Sequence, residues 1–529
     1  MRQGRYLYIL PVLIVLSVGA LFAYLYGGKE TIRQWSSVDR QAVIHPDYCG
    51  TVIPPNIAPL NFMIEEKGSC YFVKIYSRGG EPIEVFSRSP KIIIPVNSWH
   101  RLLDANRGEE LYFDVFVKAE NGQWNRFSVI SNKIAKETID GYLVYRKIHP
   151  VHSTAREMGI YQRNLENYKE SLVLSGRSAS GRYCVNCHTF LKNDTDAMLI
   201  HLRRSSSGPS MLLIRNGQVS DIDSRTQFGS APIGHTVWHP SGRLIAFTVY
   251  KVRQFFHTAR NEVRDVVDLD SGGGYYLFDS RILKTTANFS NNDRLETFPT
   301  WSPDGRYLYF CIAPILWSDR EKIPPEHYKE SKYDLVRMSY DLENDKWGEL
   351  ETVLSSKQTG LSVIQPRISP DGRFLVFCMC QYSAFPAFQP NSDLYIMDLS
   401  TSRYEKLACN SDQSESWHCW SSNGRWLAFS SKRGNGLFSR DYFSYIDPNG
   451  KASKPFVLPQ KNAAFYDSSI ELYQMPELVK SPVPSVEGKG LAKLFRKRIE
   501  PLSSIPITSA TPKAGSPAAK PEPWHGGME

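Results

Sequence analysis

The 529-residue chain has no G-x-S-x-G elbow, no Walker-type phosphate loop and no H-E-x-x-H pair. The local signatures of α/β-hydrolases, nucleotide-driven enzymes and zinc proteases are therefore missing. No second C-x-x-C exists to complete a four-ligand zinc site. The one H-x-x-x-H pair, His235 and His239, lies in strand-like sequence, where that spacing holds the rings roughly 13 Å apart. Basic runs are also scarce. Part of the net charge of +9 lies in the C-terminal cluster Lys489, Lys493, Arg496, Lys497 and Arg498, and nothing elsewhere suggests a nucleic-acid groove. With 41% hydrophobic and 12% aromatic residues, the chain suits globular cores, and its length calls for two or three domains.

Nine cysteines are present, and two fall in Cys184-Val185-Asn186-Cys187-His188. This C-x-x-C-H spacing attaches a c-type haem: thioethers from Cys184 and Cys187 fix the porphyrin edge, and His188 binds iron from the proximal side. A half zinc site, a disulfide or a thioredoxin-like pair are the competing readings. The last would want a strand-to-helix context with Trp or Pro nearby, whereas Gly181-Arg182-Tyr183 precedes this motif. Among the other cysteines, Cys49 with Cys70 and Cys409 with Cys419 are candidate pairs, and the odd remainder leaves a free thiol.

Arg2 and Arg5 precede an uncharged, mostly apolar run from Tyr6 to Tyr26, closed by Lys29 and Glu30. At 1.5 Å per residue this run crosses a bilayer core of about 30 Å. The basic head favours the cytoplasm, which predicts a single-pass anchor over residues 1–30 in the inner membrane and the bulk of the chain in the periplasm, where haem is attached. Val18-Gly19-Ala20 offers a signal-peptide cleavage reading, but bulky Leu21, Phe22, Tyr24 and Tyr26 continue beyond it.

Residues 47–148 read as short strands with turn signals: Phe72 to Tyr76, Lys91 to Pro95 and Leu111 to Val117, the last followed by a hairpin-like turn at Glu120 to Trp124. The segment resembles a fibronectin type III-like β-sandwich, with Pro54 to Leu60 at its start. Over residues 149–195 a helix is expected, because Met158, Tyr161, Leu165 and Tyr168 recur every three or four residues. That helix would lead into the haem motif, as in a minimal c-type cytochrome.

Residues 196–475 contain a repeat. His239-Pro240-Ser241-Gly242-Arg243 recurs as Ser302-Pro303-Asp304-Gly305-Arg306, Ser369-Pro370-Asp371-Gly372-Arg373 and Ser421-Ser422-Asn423-Gly424-Arg425, and the four apolar strands that follow contain Phe247, Phe310, Phe377 and Phe429. Such multi-strand, WD-like repeats predict a β-propeller, since one blade cannot bury its faces alone. A weaker blade over Ala197 to Val219 makes five, with a sixth possible. The turn resembles that of the TolB-type propeller family, which implies strands ending near a blade-edge Asp, here Asp279, Asp341, Asp398 and Asp447. Cys311 and Cys378 align with Thr248 and Ser430, five residues after the repeat arginine, and so read as packed side chains. Residues 476–529, rich in Pro, Ser, Lys and Ala, are expected to be disordered.

The fold expected is mainly β: anchor, sandwich, short helical haem segment and propeller. The function expected is a membrane-anchored c-type cytochrome carrying haem c, with the propeller face binding a redox partner protein, an envelope protein or a substrate, an electron carrier more than an enzyme. A TolB-like scaffold for protein or polymer, without redox work, is the alternative. Because the cytochrome portion is abbreviated, the distal ligand must come from nearby. His201 and Met198 stand first, then Met211, with His235, His239 and His257 further on; an open sixth position is the other choice. Arg253, His257 and Arg260 would matter if the propeller mouth were catalytic. A prolyl peptidase is excluded because no catalytic α/β domain fits in the chain.

Overall fold

The computed structural model describes residues 32–149, 158–178, 181–204, 208–223, 233–256, 264–319 and 322–484. The expected anchor, His257, Arg260 and the tail beyond Pro484 lie outside these residues. Among the described residues no helix is long and apolar enough to cross a membrane.

The chain is mainly β. Residues from Ser36 to Ile134 build a seven-stranded sheet and a three-stranded one. Alternation decides the faces: along Cys70–Tyr76 the odd members Tyr71, Val73 and Ile75 are buried and the others look outward. The inner faces share a core with the helix Val96–Ala105, which contributes Trp99, Leu102 and Leu103. That helix was not legible in the strand pattern.

Six further sheets follow, five of four strands and one of five. The strands of successive sheets that adjoin one another are Gly181–Leu191, Ile233–Trp238, Arg294–Trp301, Ser362–Ile368 and Glu415–Trp420, and the last of these meets Leu472–Val479. Leu472–Val479 in turn touches Gly181–Leu191, which closes the inner strands into a ring. The sheets thus form a β-propeller-like ring. Its first blade is composite: Leu472–Val479 pairs with Tyr142–Ile148, followed by Gly159–Asn164 and Glu170–Ser175. Each radial sheet hides its faces only against its neighbours, so interblade apolar clusters such as Val144, Val185, Phe190 and Met198 hold the ring together.

Three expectations need correction. Over the described part of residues 149–195 the expected helix is replaced by strands. Asn164 Oδ1 accepts the amides of Glu166 and Asn167, making a turn between two strands, and pairing with Tyr142–Ile148 overrides the helical spacing. Tyr142–Ile148 belongs to the ring rather than to the segment before it. The tail begins later than Pro476, because Leu472–Val479 is the closing strand and Val483 is buried, its amide donating to Gln162 Oε1.

The repeat turns explain their own composition. Ser369 Oγ and Asp371 Oδ1 hydrogen-bond at 2.5 Å, Phe374 N donates to Ser369 Oγ, and Gly372 takes φ 76°. That left-handed conformation suits glycine. His239 stands where the other copies have Ser: its Nδ1 meets Ser241 Oγ at 2.7 Å and its Nε2 donates to the Gly305 carbonyl at 3.1 Å. All nine cysteines are free of disulfides, and Cys311 and Cys378 are fully buried.

Candidate functional site at the axial channel

Every inner strand of the ring breaks its ladder at a point where two residues oppose one. The pairs are Asn186-Cys187, His235-Thr236, Phe298-Pro299, Gln365-Pro366, Trp417-His418 and Met475-Pro476. Opposite them stand His201, Phe247, Phe310, Phe377, Phe429 and Tyr145. These are β-bulges, which re-aim side chains. His235, Phe298, Gln365, Trp417 and Met475 have φ between 44° and 56°, a cost of order 1 kcal/mol or more each for non-glycine residues, sustained by the surrounding sheets.

The bulges line a narrow, partly open cavity bordered among others by Cys187, His188, His235, Gln365, Arg367, His418, Met475 and Glu477. The rings of His235, Phe298 and Trp417, from three blades, approach one another at centroid distances of 4.1, 6.0 and 6.1 Å. An aromatic cluster therefore occupies the axis. Arg367 Nη2 donates to Glu477 Oε1 at 2.5 Å, and burial raises the Glu477 carboxyl. Gln365 accepts the Trp417 amide on Oε1, which fixes its orientation and leaves the buried Nε2 unpartnered.

The C-x-x-C-H motif lies on the inner strand Gly181–Leu191. Its middle residues, Asn186 and Cys187, form the bulge and make no ladder pair. Arg146 Nη1 donates to Asn186 Oδ1 at 3.0 Å, clipping the motif to the first blade. Cys187 and His188 are buried side by side on the channel wall. His188 Nε2 donates to the Val144 carbonyl at 3.3 Å, and Nδ1 has no partner. Burial lowers the His188 pKa to about 3, with Arg146 and Arg367 adding to the effect, so the imidazole is neutral, the form that binds metals. Cys184 is half-buried, its thiol 3.5 Å from Met158 Sδ and 3.6 Å from Asn186 Oδ1, and it does not border the channel.

By residue type, two reduced thiols and a neutral imidazole with an unpartnered nitrogen are the groups a covalent haem takes, but as placed here they do not converge on one site. Their strand placement differs from the helical presentation expected, and the two thiols point to different surroundings. Among the described residues no group of three or more His, Cys, Asp or Glu side chains is arranged to hold a metal ion.

The first distal candidates are elsewhere. Met198 is fully buried between the first two blades. His201 occupies the position of the repeat phenylalanines and hydrogen-bonds Thr236 Oγ1 through Nε2. Met211 is a core residue between the second and third blades. His239 serves its turn. Of the sequence candidates among the described residues, only His235 reaches the channel, joined by His418 and Met475, which sequence reasoning missed. His418 is itself committed, donating from Nε2 to the Val376 carbonyl at 3.0 Å, and burial lowers its pKa to about 3. The missed signal was positional: four of the lining bulges, at His235, Phe298, Gln365 and Trp417, begin four residues before a repeat turn.

No family model and no curated protein matches the chain. Solved structures similar to it include Kuenenia stuttgartiensis hydrazine synthase, at 9% identity over 66% of this chain and 48% of that one, with a TM-score of 0.42. A hypothetical selenium-binding protein from Sulfolobus tokodaii is 10% identical over 82% of this chain and 99% of that one, with a TM-score of 0.35. An oligogalacturonate lyase in complex with manganese is 12% identical over 73% of this chain and 99% of that one, with a TM-score of 0.31. Likenesses this distant carry no functional argument.

Proposed function

We propose that this chain is a membrane-anchored, periplasm-facing electron-transfer protein: a TolB-like propeller with a covalent c-type haem held by Cys184 and Cys187, and His188 as the proximal ligand. The observation that carries the reading is the motif itself, C-x-x-C-H, whose Cys187 and unpartnered His188 imidazole border the channel. A haem so held supplies one-electron chemistry tuned by its second axial ligand.

The chain's own residues do the rest. Burial keeps His188 neutral, and Arg146 fixes Asn186 between the two cysteines. His235 and Met475, both bordering the channel, replace His201 and Met198 as distal candidates. The propeller face would receive a redox partner or substrate.

The test is the absorption spectrum of protein made with a working cytochrome maturation system. A pyridine haemochrome spectrum and haem that stays with the chain on a denaturing gel are expected, and Cys184→Ser should abolish normal attachment. Absence of haem in the wild-type protein would falsify the reading and leave the scaffold alternative, in which the propeller binds an envelope protein or polymer and Cys184→Ser leaves capture intact.

A further inference from the structure

The outward face of the seven-stranded sheet is unusually aromatic. Registers place Phe86 beside Phe72, Phe72 beside Phe116, Phe116 beside Arg126, and Tyr76 beside Tyr112. Trp35 stands edge-on to Phe116 at 5.8 Å, and Trp124 stands beside Phe86 at 6.2 Å. Trp35 and Phe86 are 44% and 37% exposed, so two rings that could have been core remain at the surface. Cations are set among them: Arg126 lies over Trp35 at 5.6 Å, Lys118 over Trp124 at 5.7 Å and Lys74 over Tyr76 at 5.9 Å. Arg126 is held in place by a two-point ion pair with Asp114.

A soluble face mixes charges with few large rings, and contiguous aromatic surface marks a contact. Trp and Tyr with flanking Lys and Arg is the mixture found at the boundary between lipid and water, where the ring body sits among headgroups and the cation meets phosphate. Chain length names the occupant. Nine residues, 27–35, separate the apolar run ending at Tyr26 from Ser36, where the edge strand of this sheet begins. Fully extended they span roughly 30 Å, so an anchored chain keeps Trp35 close to the bilayer.

We infer that this sheet face lies on the membrane surface, with the exposed Trp35 and Phe86 in the headgroup layer, buried Trp124 and ion-paired Arg126 supporting them from behind, and Lys74 and Lys118 toward lipid phosphates. This rests on the anchor reading of residues 1–30 and is independent of haem.

The experiment reconstitutes the full chain in phosphatidylcholine and phosphatidylglycerol vesicles whose acyl chains carry bromine near the headgroup end. The apolar run contains no tryptophan, so quenching reports on the rest of the chain. Wild-type emission should be quenched, and the conservative variant Trp35→Phe, which removes the exposed tryptophan of this face, should lose that quenched component. Equal fractional quenching in the two proteins, with the chain retained in the membrane through alkaline carbonate, overturns the inference. Release by carbonate with the quenching difference preserved instead overturns the anchor and keeps the face.

Discussion

Asp441 is fully buried on the sixth blade, where Oδ1 accepts from Ser430 Oγ at 3.0 Å and Oδ2 has no partner. Burial pushes its pKa up to about 7, against the pull of Ser430 and Arg440. An unfolded aspartate titrates near 3.9. Between those values the folded protein keeps a proton that the unfolded chain has released, so stability falls as pH rises through the window. Asp441→Asn keeps the Ser430 contact and removes the linkage. Its stabilisation in denaturant melts should be about 2 kcal/mol greater at pH 8 than at pH 5; an identical effect at both would count against the assignment. His188 and His418 act in the opposite sense: held neutral, they withdraw stability as pH falls below about 6.5. At this scale the sequence was partly legible. Cys187 and His188 could be named because the motif is local. Gln365 and His418 needed the spacing from bulge to repeat turn, and Met475 could not be named, because its bulge is created by pairing with a strand far along the chain.

The turn between an inner strand and its neighbour is the element written most plainly in the sequence, since Ser, Asp and Gly each satisfy a separate local demand. Gly305 and Gly372 share φ near 75° but not surroundings. A Cβ on Gly372 would meet nothing closer than Pro303 at 3.8 Å, whereas one on Gly305 would come within 2.4 Å of His239 Nε2. Gly372→Ala should therefore cost about 1 kcal/mol from backbone strain alone, and Gly305→Ala more than about 2 kcal/mol, since the His239 ring must also move. Comparable losses in thermal melts would show that the His239 packing is slack. The stretch from Met158 to Tyr168 misled for the converse reason. Its three-and-four spacing looks helical, but Asn164 and Asn167 are turn residues, and a strand partner supplied by residues 142–148 settles the matter from outside the segment.

For the whole molecule, the four turn repeats announced a ring of sheets, yet the number of blades was legible only as five or six, since the first blade lacks the motif and draws on both ends of the ring. Leu472–Val479 completes that blade by pairing with Tyr142–Ile148 and borders both Glu415–Trp420 and Gly181–Leu191. A chain ending at Pro484 should melt like the full protein. One ending at Ile470 should lose its single cooperative transition and become protease-sensitive in the first and second blades, and retention of a sharp transition would show that the ring holds without its closing strand. The closure also sets a timetable. A chain that crosses a membrane N-terminus first delivers Cys184, Cys187 and His188 long before Leu472, and until that last strand docks the flank of their strand stands open. Chemistry done to the buried Cys187 by another protein has its opportunity in that interval, after which the finished wheel closes over it.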